Sequence, residues 1–210
     1  MTFTPDAVIP IDDSSVQFAT GGRTVKFTIP AGTTAAMFSS AQMAFQTGTV
    51  AGTITMNLSM QPAGGQAIAT ATRIVQINRA APATRNVVLV PTPGGFELHI
   101  TGYSTSRQLT RAAVQLTPSA GSNLQTTQLT ISLSDLASNW YQSAASKLFG
   151  SQFTLVLPFT IQGSAASIDS VTASLANDVG SSQPVSVKFN GTQAVGQAKV
   201  TFLMPQSSHR

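Results

Sequence analysis

Apolar side chains recur at every second position along much of the chain, with hydroxyl and amide side chains between them. Segments 50–60 and 96–103 show this alternation most clearly. Since successive side chains of a strand point to opposite faces, each segment predicts a strand with one apolar and one polar face. Short segments of this kind, separated by turns roughly every 8–12 residues, favour an all-β sandwich over alternating strands and helices.

The predicted strands fall into two sets. The proline-bearing stretch of small residues between them is typical of a linker. We therefore predict two consecutive β-sandwiches, with an N-terminal one at 1–80, a linker at 81–84 and a C-terminal one at 85–210. In the first, Gly21 and Gly22 predict a hairpin turn between strands at 15–20 and 24–29. If copies of the chain assemble, segment 2–11, apolar but broken by two prolines, is the arm expected to pair with another copy.

One segment departs from the alternating pattern. Between Ser134 and Gly150, aromatic and aliphatic side chains recur at helical spacing, which predicts one short helix at about 135–149 in the second sandwich. Ser134 or Asp135 is the expected N-terminal cap, and Gly150 suits the left-handed conformation that ends many helices.

Composition limits the class of protein. The 210 residues are 42% hydrophobic but only 9% charged, and cysteine is absent. The net charge of +4 comes from basic residues dispersed along the chain, which is not the basic stripe of a nucleic-acid binder. Five of the eleven basic residues lie between Arg73 and Arg111, and we interpret them as solvated strand edges. No apolar run approaches the ~20 residues that span a bilayer, and the chain carries no signal peptide.

Several strings resemble one kind of known module. Residues 46–55, 95–107, 140–153 and 158–163 resemble C-terminal modules of large exported bacterial proteins that carry immunoglobulin-like or fibronectin type III-like repeats. This resemblance implies two consecutive immunoglobulin- or fibronectin-like β-sandwiches at an extracellular or cell-surface location. It carries no catalytic signature.

The residues offer little for catalysis or metal binding. Nucleophilic catalysis needs a base beside the nucleophile. Of the two histidines, His99 is predicted on the outer face of a strand and His209 lies in the C-terminal tail, and the sequence has no Gly-x-Ser-x-Gly motif. Asp12 and Asp13 are the only adjacent carboxylates, and one pair is few for calcium. We predict no enzyme activity, no catalytic residue, no metal site and no cofactor.

Two functions remain from the sequence. The first is a structural or interaction module that spaces, displays or self-assembles at a bacterial cell surface, with strand pairing between copies as one route to assembly. Its partners would be other copies or the rest of a longer surface protein, with no nucleic acid and no membrane insertion. The alternative is a carbohydrate-binding module that takes polysaccharide, because sugar rings stack on aromatic side chains while amides and hydroxyls bind their hydroxyl groups. The candidate ligand-binding residues are Tyr103, Asn139, Trp140, Tyr141 and Gln142.

Overall fold

The fold is all-β, as predicted, and the residues that the structure describes contain one α-helix. The computed structural model describes residues 1–40, 43–189 and 199–202. About half of the described residues lie in strands, which pair antiparallel. The predicted C-terminal sandwich continues to residue 210, so its parts at 190–198 and 203–210 lie outside the described residues, as does His209.

The C-terminal half contains two four-stranded antiparallel sheets. One sheet has the order β15-β12-β9-β8 and the other the order β11-β10-β13-β14. The strands are β8 (Ala83–Thr92), β9 (Gly95–Tyr103), β10 (Arg111–Pro118), β11 (Gln128–Ser132), β12 (Gln152–Gln162), β13 (Ile168–Ala176), β14 (Val185–Lys188) and β15 (Lys199–Phe202). β8 starts inside the segment 81–84 predicted as linker, so Ala83 and Thr84 are strand residues.

The core of this half lies between the two sheets. Alternate residues of β9, β10, β12 and β13 are buried and form one hydrophobic cluster. Phe96 stacks on Phe159, with ring centroids 4.7 Å apart, and meets the edge of Phe189 at 5.6 Å. Burial of these apolar rows is the main force that holds stacked sheets together.

The N-terminal half is built differently. It contains a three-stranded sheet of order β1-β6-β7 and the two-stranded pairs β2-β5 and β3-β4. The strands are β1 (Thr2–Pro5), β2 (Val16–Phe18), β3 (Phe27–Thr28), β4 (Met37–Phe38), β5 (Phe45–Thr47), β6 (Gly52–Met60) and β7 (Ile68–Ile77). Its buried hydrophobic cluster is small and consists of Phe3, Ile9, Val16, Val50, Ala51 and Ile54.

Two pairings in this half differ from the sequence predictions. The turn at Gly21 and Gly22 forms, but β2 pairs with β5 instead of with the segment after the turn. Segment 2–11, expected to pair with another copy, contributes a strand to its own chain. Here β1 pairs with β6, with Thr2 opposite Thr55 and Phe3 opposite Ile54. Burial of Phe3 in the small cluster explains why this strand is held in place.

The predicted helix at 135–149 is divided. An α-helix, α1, runs over Ser134–Gln142, and a 3₁₀-helix follows over Ala145–Phe149. The break lies at Ser143, whose backbone is extended and whose hydroxyl donates to the Trp140 carbonyl at 2.7 Å. The N-cap is Leu133, with no side-chain hydrogen bond, so neither Ser134 nor Asp135 caps the helix. Gly150 has a φ of 60°, which a glycine accepts without strain.

Candidate functional site

The helical segment places two aromatic rings at one end of the sandwich. Trp140 is half-buried, and its indole N–H donates to the Gln152 carbonyl at 3.0 Å. Phe149 lies beside it with ring centroids 6.3 Å apart and planes inclined by 30°, and half of its side chain is exposed. The hydrogen bond fixes the indole, so the two rings form a preset apolar wall.

A third aromatic ring lies on the neighbouring sheet. Tyr103 is the last residue of β9, and the guanidinium of Arg85 lies 5.1 Å from the centre of its ring. Arg85 occupies the register shift between Thr84 and Asn86 in β8, where one residue has no partner on β9. A bulge of this kind redirects a side chain, and here it places an exposed arginine over the tyrosine.

These groups line a single groove of about 870 Å³. Its floor is the outer face of β9 and β12, where Tyr103 lies opposite Gln152 and Thr101 opposite Thr154. Trp140 and Phe149 line it from the helical segment, and the N-terminal half contributes Phe45 and the residues up to Thr49. The volume is within the ~300–1,000 Å³ typical of ligand sites. The groove therefore exists only where both halves of the chain meet.

Among the residues that line the groove, Arg85 carries the one formal charge, and none is a carboxylate. Amide and hydroxyl groups of Gln46, Thr47, Gln152 and Thr154 lie exposed beside the aromatic rings. Such groups both donate and accept hydrogen bonds. The groove thus combines apolar platforms, neutral hydrogen-bonding groups and a single positive charge.

The predicted ligand-binding residues do not all lie together. The structure brings Tyr103 and Trp140 into the groove. Asn139 and Gln142 are exposed on α1 away from it, and the Gln142 amide donates to Ser138 Oγ at 2.7 Å.

Tyr141 is buried and packs in the interior of the sandwich. Its hydroxyl donates to the Ser151 carbonyl at 2.9 Å, and the Arg107 guanidinium lies 4.8 Å from its ring centre. Burial raises the pKa of Tyr141 well above its ordinary value, and the nearby Arg107 opposes that shift only partly. A ring held in this way offers no face to a ligand.

The groove is supported by a buried polar junction between the two halves. Asp13 is fully buried, and its Oδ2 accepts the backbone N–H groups of Thr49 at 2.6 Å and Val50 at 3.0 Å. Its Oδ1 accepts the Ser15 N–H at 2.9 Å. A β-carbon on Gly48 would lie 2.5 Å from Asp13 Oδ2, so only glycine lets the backbone approach this closely.

Arg107 continues the junction on the sandwich side. Its φ is 50°, a left-handed conformation that non-glycine residues rarely adopt. The guanidinium donates to the carbonyls of Gly150 and, at 2.5 Å, Tyr141, and to Ser146 Oγ at 2.8 Å. Burial lowers the pKa of Arg107, and the charge of Asp13 is among the groups that oppose this shift.

Direct bonds also join the two halves. The Ser151 N–H donates to Thr49 Oγ1 at 2.9 Å, and Ser151 Oγ donates to the Thr49 carbonyl. The Ala51 N–H donates to the Thr105 carbonyl at 2.9 Å. The wall formed by β5 and the floor formed by β9 and β12 are therefore held in a fixed relation.

Sequence reasoning missed Arg85, Phe149 and the junction of Asp13 with Arg107. Arg85 and Arg107 belong to the arginines between Arg73 and Arg111, whose concentration in the sequence was their only signal. Nothing in the sequence distinguishes Asp13, which is buried, from Asp12, which pairs with Arg23 at 2.7 Å near the surface.

The described residues contain no group of three or more histidine, aspartate and glutamate side chains that could hold a metal ion. His99 Nε2 lies 2.8 Å from the Glu97 carboxylate on the outer face of the sheet. Within the described part of the chain, no helix is long and apolar enough to cross a membrane.

Comparisons with known proteins add no assignment. No protein-family model matches the chain, and no curated protein matches it.

Proposed function

We propose that the chain is a non-catalytic module of a bacterial surface protein that associates with neighbouring copies through its edge strand β7. The observation that carries this proposal is the length and exposure of that strand. β7 has ten residues, lies at the edge of its sheet and contains a single charged residue, Arg73, and no proline. Natural sheets usually protect such edges with lysines, prolines or very short strands.

Large apolar side chains lie exposed along the same hairpin. Ile74 is 66% exposed and Ile68 is 55% exposed. Met60, directly opposite Ile68 at the tip, is also exposed. Exposed aliphatic groups beside an open strand edge are typical of a surface that is covered by a partner.

A second copy of the chain is the partner that this edge fits best. Two identical strands can pair antiparallel about a two-fold axis, because each edge then presents the same donors and acceptors to the other. The weakly charged strand adds little repulsion between the copies.

The buried junction supports a role as a rigid spacer in a longer surface protein. Asp13 accepts the Thr49 N–H, and Thr49 Oγ1 accepts the Ser151 N–H across the junction, so force on one half passes to the other. A rigid connection suits a module that displays or connects neighbouring domains.

The surface location rests on composition and on the resemblance described above. Few charges and no cysteine fit exported bacterial proteins. The division into two stacked antiparallel sheets supports an immunoglobulin-like module: the first, second, fifth and eighth strands of the C-terminal half form one sheet, and the third, fourth, sixth and seventh form the other.

Light scattering coupled to size exclusion tests the association across a range of protein concentrations. We expect dimers or larger assemblies, and we expect Ile74→Lys to return the chain to a monomer by placing a charge on the edge strand. Val156→Lys is the matched control, because Val156 is 38% exposed but lies on β12 in the interior of its sheet. A wild-type monomer at every concentration, or equal loss of assembly in both variants, would contradict the proposal.

A further inference from the structure

The geometry points to the groove between the two halves as a binding site for an acidic oligosaccharide, in which Arg85 binds a uronate carboxylate. This inference does not depend on the self-association proposed above. β7 is not among the strands that line the groove, so the two surfaces can be tested separately.

The aromatic lining suits sugar rings. Trp140 and Phe149 form one wall and Tyr103 lies on the floor. The flat faces of these side chains are apolar, while the indole N–H is already bonded to the Gln152 carbonyl. The three rings give the groove an apolar surface on which the apolar faces of pyranose rings can pack.

The polar lining suits hydroxyl groups. The exposed amides of Gln46 and Gln152 and the hydroxyls of Thr47 and Thr154 border the groove. Each can donate and accept, as the hydroxyl groups of a sugar also can. A purely apolar ligand would leave these groups without partners.

The charge selects among sugars. In the part of the chain that the structure describes, Arg85 forms no ion pair, and its guanidinium lies above the Tyr103 ring. The ring holds the guanidinium in place without neutralising it. Because none of the described residues that line the groove is a carboxylate, an incoming anion meets the positive charge of Arg85 with no competing acid among them.

Titration calorimetry with purified full-length chain tests the site, using oligogalacturonate and alginate oligosaccharides as acidic probes. Cello-oligosaccharides of equal length are the neutral comparison, and polyglutamate is the acidic peptide comparison. We expect the uronates to bind more tightly than either. Trp140 is the single tryptophan of the chain, so its emission should shift on binding.

Two variants with matched controls locate the site. Arg85→Gln should weaken uronate binding about tenfold, as expected for loss of a charged hydrogen bond. Arg111→Gln removes an exposed arginine outside the groove and should leave binding unchanged. Phe149→Ala should also weaken binding, whereas Leu148→Ala, at a 75% exposed neighbour, should not.

The outcomes are decisive in either direction. Failure of both uronates to bind would overturn the site. Equal binding of cello-oligosaccharides would overturn the role of Arg85, and equal binding of polyglutamate would overturn the sugar. If Arg85→Gln and Arg111→Gln weakened uronate binding equally, the loss would come from the lower net charge, and the assigned role of Arg85 would be wrong.

Discussion

The C-terminal sandwich buries whole rows of side chains between two facing sheets. The N-terminal half buries only a small hydrophobic cluster and is joined to the sandwich by a polar junction. In the sandwich, Phe96 and its neighbours on alternate positions are fully excluded from water. In the N-terminal half, exposed apolar residues such as Met37 and Ile74 remain at the surface. A cluster of that size provides much less hydrophobic stabilisation.

The difference shows why the junction matters to the site. Asp13 holds the Thr49 backbone within the N-terminal half, and Thr49 in turn bonds to Ser151 of the sandwich, so the loop that forms one wall of the groove keeps a fixed position. A single partner removed from a buried polar network leaves other groups unsatisfied, and that cost is high. We therefore expect that replacing a buried apolar residue destabilises the sandwich itself. Replacing a buried polar residue of the junction should instead free the N-terminal half from the sandwich.

The largest effect is expected from Phe96→Ala in the sandwich. Loss of the ring removes its contacts with Phe159 and Phe189 and leaves a cavity, at a cost of about 4 kcal/mol in the free energy of unfolding. Phe38→Ala is the matched control in the N-terminal half, where the ring is 42% exposed and the expected cost is below about 1 kcal/mol. Urea unfolding followed by circular dichroism measures both. Equal costs would show that the two halves do not differ in packing.

Asp13→Ala is expected to have the next largest effect. The substitution leaves the Thr49 and Val50 N–H groups without their acceptor, which should cost about 3 kcal/mol. Hydrogen exchange should show faster exchange in β5 and β6 while β9 and β12 stay protected.

Asp12→Ala is the control for this experiment. Its carboxylate is 62% exposed and pairs with Arg23, and exposed ion pairs contribute little to stability. If Asp13→Ala accelerated exchange equally in β9 and β12, the halves would unfold as one unit and the junction would not be a separate element.

Alternation in the sequence predicted the strands of the C-terminal half because both sheets bury one face. Phe96, Leu98 and Ile100 lie on one side of β9, as their spacing requires. In the N-terminal half the same reasoning found the turn at Gly21 and Gly22 but paired the wrong strands. Local alternation identifies a strand and its buried face, whereas its partner depends on contacts between distant residues.

The site was predictable only in part for a related reason. Helical spacing identified Trp140 and Tyr141, but adjacent residues of a helix point in different directions, so one lines the groove and the other is buried. Arg85 acquires its position from a bulge in β8, and Asp13 acquires its role from Thr49 far along the chain. Neither relation leaves a local pattern in the sequence.

The smallest effect concerns pH and tests whether Tyr141 belongs to the sandwich interior. Burial raises the pKa of Tyr141, so the folded chain keeps its phenolic proton at a pH where the unfolded chain, with an ordinary tyrosine pKa of about 10, has lost it. The folded state then binds more protons, and stability falls as pH rises past about 10. Well below that pH, Tyr141 is protonated in both states and does not change how the free energy of unfolding depends on pH. The expected loss is on the order of 1 kcal/mol between about pH 10 and pH 11.

Tyr141→Phe should remove this alkaline loss, at a cost of about 1 kcal/mol at neutral pH for the missing hydrogen bond to the Ser151 carbonyl. Tyr103→Phe, at the other tyrosine of the sequence, should keep the alkaline loss because it leaves Tyr141 and its burial unchanged. Urea midpoints measured across the pH range compare the three proteins. An unchanged pH slope in Tyr141→Phe would mean that the phenol reaches water in the folded chain, and that the end of the sandwich beneath the groove is open.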